Sequence, residues 1–124
     1  MIEHKHLIIR GKMEKSLLKA DVWNLLNDLV SVLDMELMKG VATNPNVGYE
    51  GGENGGVTGC ALITTSHIVL HTWDKAKYFQ FDAYSCKNFE PKEVITELHK
   101  WGLIAEDNKY FDRAYNLLDI THIL

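Results

Sequence analysis

The stretch Cys60-Ala-Leu-Ile-Thr-Thr-Ser-His-Ile-Val-Leu-His-Thr-Trp73, followed by Tyr78-Phe-Gln-Phe-Asp-Ala-Tyr-Ser-Cys86, decides the fold. It contains three β-rich runs, Cys60–Thr65, His67–Trp73 and Tyr78–Cys86, and no turn chemistry separates the first two. The third run alternates. Tyr78, Gln80, Asp82, Tyr84 and Cys86 share one face, and Phe79, Phe81 and Ala83 share the other. Half-buried strands of this kind predict a mainly antiparallel sheet with one apolar side to cover.

Working outward, two helices are available to cover it. Val22, Leu25, Leu26, Leu29, Val30 and Leu33 recur at helical spacing, with Asp21 as the expected N-cap. Downstream, Pro91 suits a first helical position. Val94, Ile95, Leu98 and Trp101 then make an apolar stripe that Gly102 ends. His6–Ile9 reads as a buried strand and Glu36–Ala42 as another, while the tail from Leu103 suggests a strand and a short helix. Strands grouped between helices predict an α+β two-layer sandwich with both main helices on one face. The 124 residues read as a single domain, 1–124, without internal repeat or linker.

Composition narrows the function classes. The formal net charge is −4 and the pI about 5.8, with no block of like charge, so a nucleic-acid backbone is not an expected partner. No apolar run reaches the roughly 7–15 residues of a signal peptide or the ~18 of a membrane span. Two cysteines, Cys60 and Cys86, make no disulfide framework, and the expectation is a cytoplasmic protein with reduced thiols and no membrane partner. Six of the nine glycines fall between Gly48 and Gly59. The segment Asn44–Gly59 therefore reads as a loop, either a plain connection or a cover over substrate. It lacks the Gly-Lys-Ser/Thr ending of a phosphate-binding loop.

Chemistry concentrates in Thr64-Thr-Ser-His-Ile-Val-Leu-His-Thr-Trp73, which sets a Ser, two His and a Trp in a core strand. Polar groups there are costly unless hydrogen-bonded. A satisfied polar core is one reading; a serine hydrolase is another, although Gly-x-Ser-x-Gly is absent. His4 and His6 share a strand face, as do His67 and His71, but no carboxylate or Cys stands beside them at ligand spacing, so no metal is expected. Taken alone, Cys86 would be a small buried hydrophobe.

Ser66-His67, His71-Thr72-Trp73 and Tyr84-Ser85-Cys86, preceded by Gly56-Val57-Thr58-Gly59 and by His6-Leu7, resemble the prokaryotic S-adenosylmethionine decarboxylases. That family has Ser-His, His-Thr-Trp, Thr-Cys-Gly, Gly-Val-Ser-Gly and an N-terminal His-Leu strand in the same order. The resemblance covers most of residues 4 to 102 and implies a zymogen. Ser66 would attack the carbonyl of Thr65, giving an ester. Loss of the Ser66 α-proton would then split the chain between Thr65 and Ser66, leaving a pyruvoyl group as the sole cofactor. Its carbonyl would form a Schiff base with the substrate amine and act as the electron sink that pyridoxal phosphate often supplies.

By the same resemblance His71 is the processing base and Thr58 the hydroxyl that assists processing by hydrogen bonding. Cys86 is the proton donor to the substrate α-carbon, a task suited to a thiol that stays protonated near neutrality. Thr65 stands where the family usually has Glu. Tyr49, His67, Trp73 and Asp74 are the candidate substrate-binding residues, Asp74 standing one position from the family's Glu. The implied activity is decarboxylation of S-adenosylmethionine to the aminopropyl donor of spermidine synthesis, by a homodimer with sites near the subunit contact. Decarboxylation of arginine or ornithine is the alternative within the chemistry, in keeping with Glu50 and Glu53 in the loop. A non-processing binding or regulatory homologue is the alternative outside it.

Overall fold

The three runs between Cys60 and Cys86 form the middle of one antiparallel sheet. The computed structural model describes residues 2–38, 46–49 and 55–113. Along the chain these form β1 (Lys5–Met13), α1 (Lys19–Val32), β2 (Asn46–Tyr49), β3 (Gly56–Ile63), β4 (Ser66–Trp73), β5 (Tyr78–Ser85), α2 (Pro91–Lys100) and β6 (Leu103–Asp112). The sheet order is β2-β3-β4-β5-β1-β6, with every pairing antiparallel.

Alternation sorts β1, β3, β4 and β5 into two faces, as the pattern in Tyr78–Cys86 predicts. Leu7 and Ile9, Ala61 and Ile63, Ile68 and Leu70, Phe79 and Phe81 are all essentially inaccessible. They pack beneath Val22, Leu25, Leu26 and Leu29 of α1 and Val94 and Leu98 of α2 in one core. Burying each such side chain contributes about 1.5–3 kcal/mol. Both helices therefore lie on one side, α1 over β3 and α2 over β6. The opposite face carries His6, Thr58, His67, His71, Asp82 and Tyr84 and has no covering element among the described residues.

Several local expectations need correction. Asp21 is not the N-cap of α1; Leu18 is, and the Asp21 carboxylate reaches back to accept the Leu18 N–H at 2.8 Å. Leu17 is buried, so the helix starts earlier than its apolar stripe suggested, and a carboxylate three positions in can satisfy the first amide. The loop expected over Asn44–Gly59 is in part strand, since Asn46–Tyr49 pairs with Gly56–Gly59. Gly56 serves close packing: a Cβ there would lie 1.8 Å from the Thr72 carbonyl oxygen. The strand expected over Glu36–Ala42 amounts to one bridge, Leu37 with Ile63, and residues 39–42 lie outside the described residues. β6 bears out the strand expected after Leu103; the short helix, with His122, falls outside them too.

Candidate active site

Thr64 and Thr65 are the whole connection between β3 and β4, with Ile63 registered opposite Ser66. Hairpin loops this short favour turns with positive φ in the loop, which match the twist of the strands. A β-branched residue takes positive φ only at high cost. Neither threonine does so: among the described residues, positive φ in non-glycines occurs at Asp34 (53°), Ser66 (150°) and Lys77 (52°). The positive φ has moved onto Ser66. Its value lies in a region that is essentially glycine's, at a cost of about 1–3 kcal/mol.

The bond at this strained residue has close company. The Thr65 carbonyl accepts the Cys86 N–H at 2.9 Å. Cys86 follows the last residue of β5 and is exposed, which excludes the reading of it as a buried hydrophobe. Ser85, directly across from Ser66, is buried, and its Oγ accepts the Lys87 N–H at 3.0 Å. The Thr65 Oγ1 is buried without a hydrogen-bond partner.

A second group of expected residues gathers at the other end of β4. Thr58 registers opposite His71, and its Oγ1 lies 3.1 Å from His71 Nδ1. The Trp73 ring stands 6.3 Å from that of His71 and 5.4 Å from that of Tyr78. The Asp74 N–H donates to the Gly55 carbonyl at 2.8 Å, while its Oδ1 is buried without a partner. The backbone of Tyr49 registers opposite Gly56 on the same side of the sheet's end. Five positions of unbroken β4 separate Ser66 from His71, roughly 16 Å at about 3.3 Å per residue. An odd spacing also gives them opposite sheet faces. The chain thus brings Thr65, Ser66 and Cys86 together, and separately Thr58, His71, Trp73 and Asp74, without joining the two groups.

Between them lies a cluster that sequence reading missed. Asp82 meets His6 Nε2 with one carboxylate oxygen and lies 3.7 Å from His67 Nε2 with the other. Tyr84 sits among His4, His6 and His67, its hydroxyl 2.8 Å from His4 Nδ1, and the Arg113 guanidinium lies 4.3 Å over its ring. His67 and His71 share a face, as alternation predicts; the β1–β5–β4 register adds that His6 and His67 stand on either side of Tyr84. Only the pairing of distant strands carries that signal. Cys60, half-buried on the same face, has its thiol pushed up from the ordinary range by burial and by the charge of Asp82. Among the described residues no three His, Cys, Asp or Glu side chains are grouped to hold a metal ion, and no helix is long and apolar enough to cross a membrane.

An antiparallel sheet with helices on one face and reactive side chains on the other, closed by a strained hairpin, defines a particular class of two-layer α+β domain. The sequence profile of the S-adenosylmethionine decarboxylase family matches residues 12–106, and the chain belongs to that family. Proteins named S-adenosylmethionine decarboxylase proenzyme from two strains of Methanococcus maripaludis are similar to it. One is 34% identical over 65 residues, 52% of either chain; the other is 38% identical over 69 residues, 55% of this chain and 56% of the relative. The chain spans about half the length of the curated relatives it matches. The crystal structure of the adenosylmethionine decarboxylase from Aquifex aeolicus superposes with a TM-score of 0.58. The match covers 90% of this chain and 88% of that one at 18% identity, a likeness of fold.

Proposed function

We propose that this chain is a proenzyme that splits between Thr65 and Ser66 and then decarboxylates S-adenosylmethionine to the aminopropyl donor for spermidine synthesis. The observation that carries the reading is the Cys86 amide on the Thr65 carbonyl, which sets the expected proton donor beside the expected cleavage bond. Family membership supports the substrate, as do relatives named as proenzymes of that decarboxylase.

The residues present fit a pyruvoyl group at position 66: the serine opens β4 directly after the hairpin loop, in a strained backbone, near an exposed thiol. Such a carbonyl supplies the electron sink that loss of carbon dioxide from an α-amino acid requires. Ser66 contributes the hydroxyl and the α-proton that are lost in forming it. Cys86 returns a proton to the substrate α-carbon. The buried, unpartnered Asp74 oxygen is an acceptor for a substrate hydroxyl or amine, next in the chain to the Trp73 ring.

Thr58 on β3, and His71, Trp73 and Asp74 at the far end of β4, lie too far from the hairpin to serve Ser66 of their own chain. In this reading a homodimer supplies them, two copies meeting through the faces opposite the helices. That face exposes Ile8 and Leu62, 39% and 38% accessible, among its polar groups. His71 of each copy then removes the Ser66 α-proton of the other.

Intact mass of the purified protein is the test. Two chains, the second beginning at position 66, are expected, and Ser66→Ala stays whole. A single unbroken chain after long incubation would favour a non-processing binding protein. Borohydride trapping with each candidate amine then reads the substrate: trapping with arginine or ornithine but not S-adenosylmethionine keeps the chemistry and replaces the substrate.

A further inference from the structure

We propose that the cleft between α1 and the C-terminal end of α2 binds an extended alkyl polyammonium ion, a chain of methylenes with separated positive charges. None of the candidate active-site residues lines this cleft, and the site stands whether or not the chain is a decarboxylase.

The cleft follows from how the chain leaves β1 and α2. Trp101 caps α2, and Gly102 turns the chain into β6 at a φ of +79°, a left-handed value that glycine takes without a Cβ penalty. The Glu14 N–H donates to the Gly102 carbonyl at 2.9 Å, so the link from β1 to α1 is held against the end of α2. Between them and α1 a cleft of about 780 Å³ remains, within the size range of small-molecule sites.

Its lining selects a cation. Glu14, Asp21, Asp28 and Glu97 contribute carboxylates, against the ammonium groups of Lys15 and Lys100 and the imidazole of His99. Glu97 carries the argument. It is 7% accessible and is the sole buried charged side chain among the described residues. Its Oε2 accepts from Lys100 Nζ at 3.2 Å, and that lysine side chain is itself 65% exposed. Its Oε1 has no hydrogen-bond partner among the described residues. A carboxylate withdrawn from water with one oxygen unused is costly, and a cation entering the cleft lowers that cost. The C-terminal end of α2, the negative pole of its dipole, opens on the same cleft. An anion meets the opposite field.

The spacing of the carboxylates selects the kind of cation. A bare metal ion needs several oxygens converging at about 2.0–2.6 Å, and no three metal-ligating side chains are so grouped among the described residues. Asp21 and Asp28 stand instead about two turns apart on α1, roughly 10 Å at ~1.5 Å per residue. Asp21 keeps Oδ1 for a ligand while its Oδ2 accepts the Leu18 N–H at 2.8 Å. Leu17 and the Trp101 indole supply apolar wall in the same cleft. Separated carboxylates suit the ammonium groups, apolar wall suits the methylenes, and an indole face attracts a cation directly.

The test uses the full chain with Trp23→Phe and Trp73→Phe, which leaves Trp101 as the single indole, and follows its fluorescence at constant ionic strength. The probes are 1,8-diaminooctane and spermidine, with octylamine and magnesium ion as comparisons. Both polyamines should shift the emission saturably and bind about 10-fold or more tightly than octylamine. Glu97→Gln should weaken them about 10-fold, whereas Glu93→Gln, an exposed α2 position outside the cleft, should leave them unchanged. Equal binding of octylamine overturns charge recognition, and equal binding of magnesium overturns an extended ligand. Equal losses in the two Gln variants reduce the effect to bulk charge and overturn the site. Tighter binding of a trilysine peptide assigns the cleft to a basic protein segment and overturns a small ligand. Calorimetric titration of the wild-type chain and of Glu97→Gln repeats the comparison without the tryptophan replacements; no heat of binding there overturns the proposal.

Discussion

Replacing Ser66 by glycine and, separately, by alanine removes the hydroxyl in both cases, leaving an uncleaved chain whose stability reports the backbone at this position. In an ordinary strand the glycine variant is the weaker, by about 0.5–1 kcal/mol, because the unfolded chain has more freedom to lose. Here φ is +150°, and a Cβ in that region costs about 1–3 kcal/mol that glycine avoids. The expected balance reverses the usual order, with Ser66→Gly more stable than Ser66→Ala by about 0.5–2 kcal/mol. For a domain of this size 1 kcal/mol moves Tm by roughly 3–6 °C, so the two melting curves should separate by about 2–12 °C. Urea unfolding of both variants gives the same comparison at 25 °C, and equal m-values certify that the folded states are equally compact. An alanine variant as stable as the glycine one, or more so, would refute strain at Ser66 and with it the turn argument.

Three further outcomes are expected. Co-folding Ser66→Ala with His71→Ala chains should restore splitting in the His71→Ala chain alone, because the other chain supplies the missing imidazole; no splitting in the mixture, with both chains folded, excludes a site completed between copies. Gly56→Ala should lose about 2–4 kcal/mol in denaturant unfolding, since its Cβ would overlap the Thr72 carbonyl at 1.8 Å and β3 must shift away from β4. Cys60 should label more slowly than the exposed Cys86 with a thiol reagent near pH 8. Its raised value also means that the folded state holds the proton longer than the unfolded chain does. The resulting stability is present below the ordinary thiol range and lost as pH rises through the folded value, so Cys60→Val should flatten the alkaline decline; an unchanged slope counts against this.

The sequence by itself determined the sheet's centre, both helices and the side of the sheet they cover. Those features follow from periodicity: Phe79, Phe81 and Ala83 alternate against Gln80, Asp82 and Tyr84, and Val22 to Leu33 repeat at helical spacing. The candidate site residues were legible as well, because Ser66, His71, Cys86 and Thr58 lie at spacings that resemble a known family. Tertiary structure decided how they are grouped. Linear spacing cannot say that Cys86, twenty residues beyond Ser66, places its amide on the Thr65 carbonyl; strand register does. Nor does it say that His71, five residues away, stands far off on the other face, because proximity in a straight strand falls with every residue added. The same holds for the Asp82 contacts with His6 and His67, which need β1, β5 and β4 side by side. The missing turn chemistry at Thr64-Thr65 was visible in the sequence. That its cost lands on Ser66 depends on the two ladders that pin that residue from both sides.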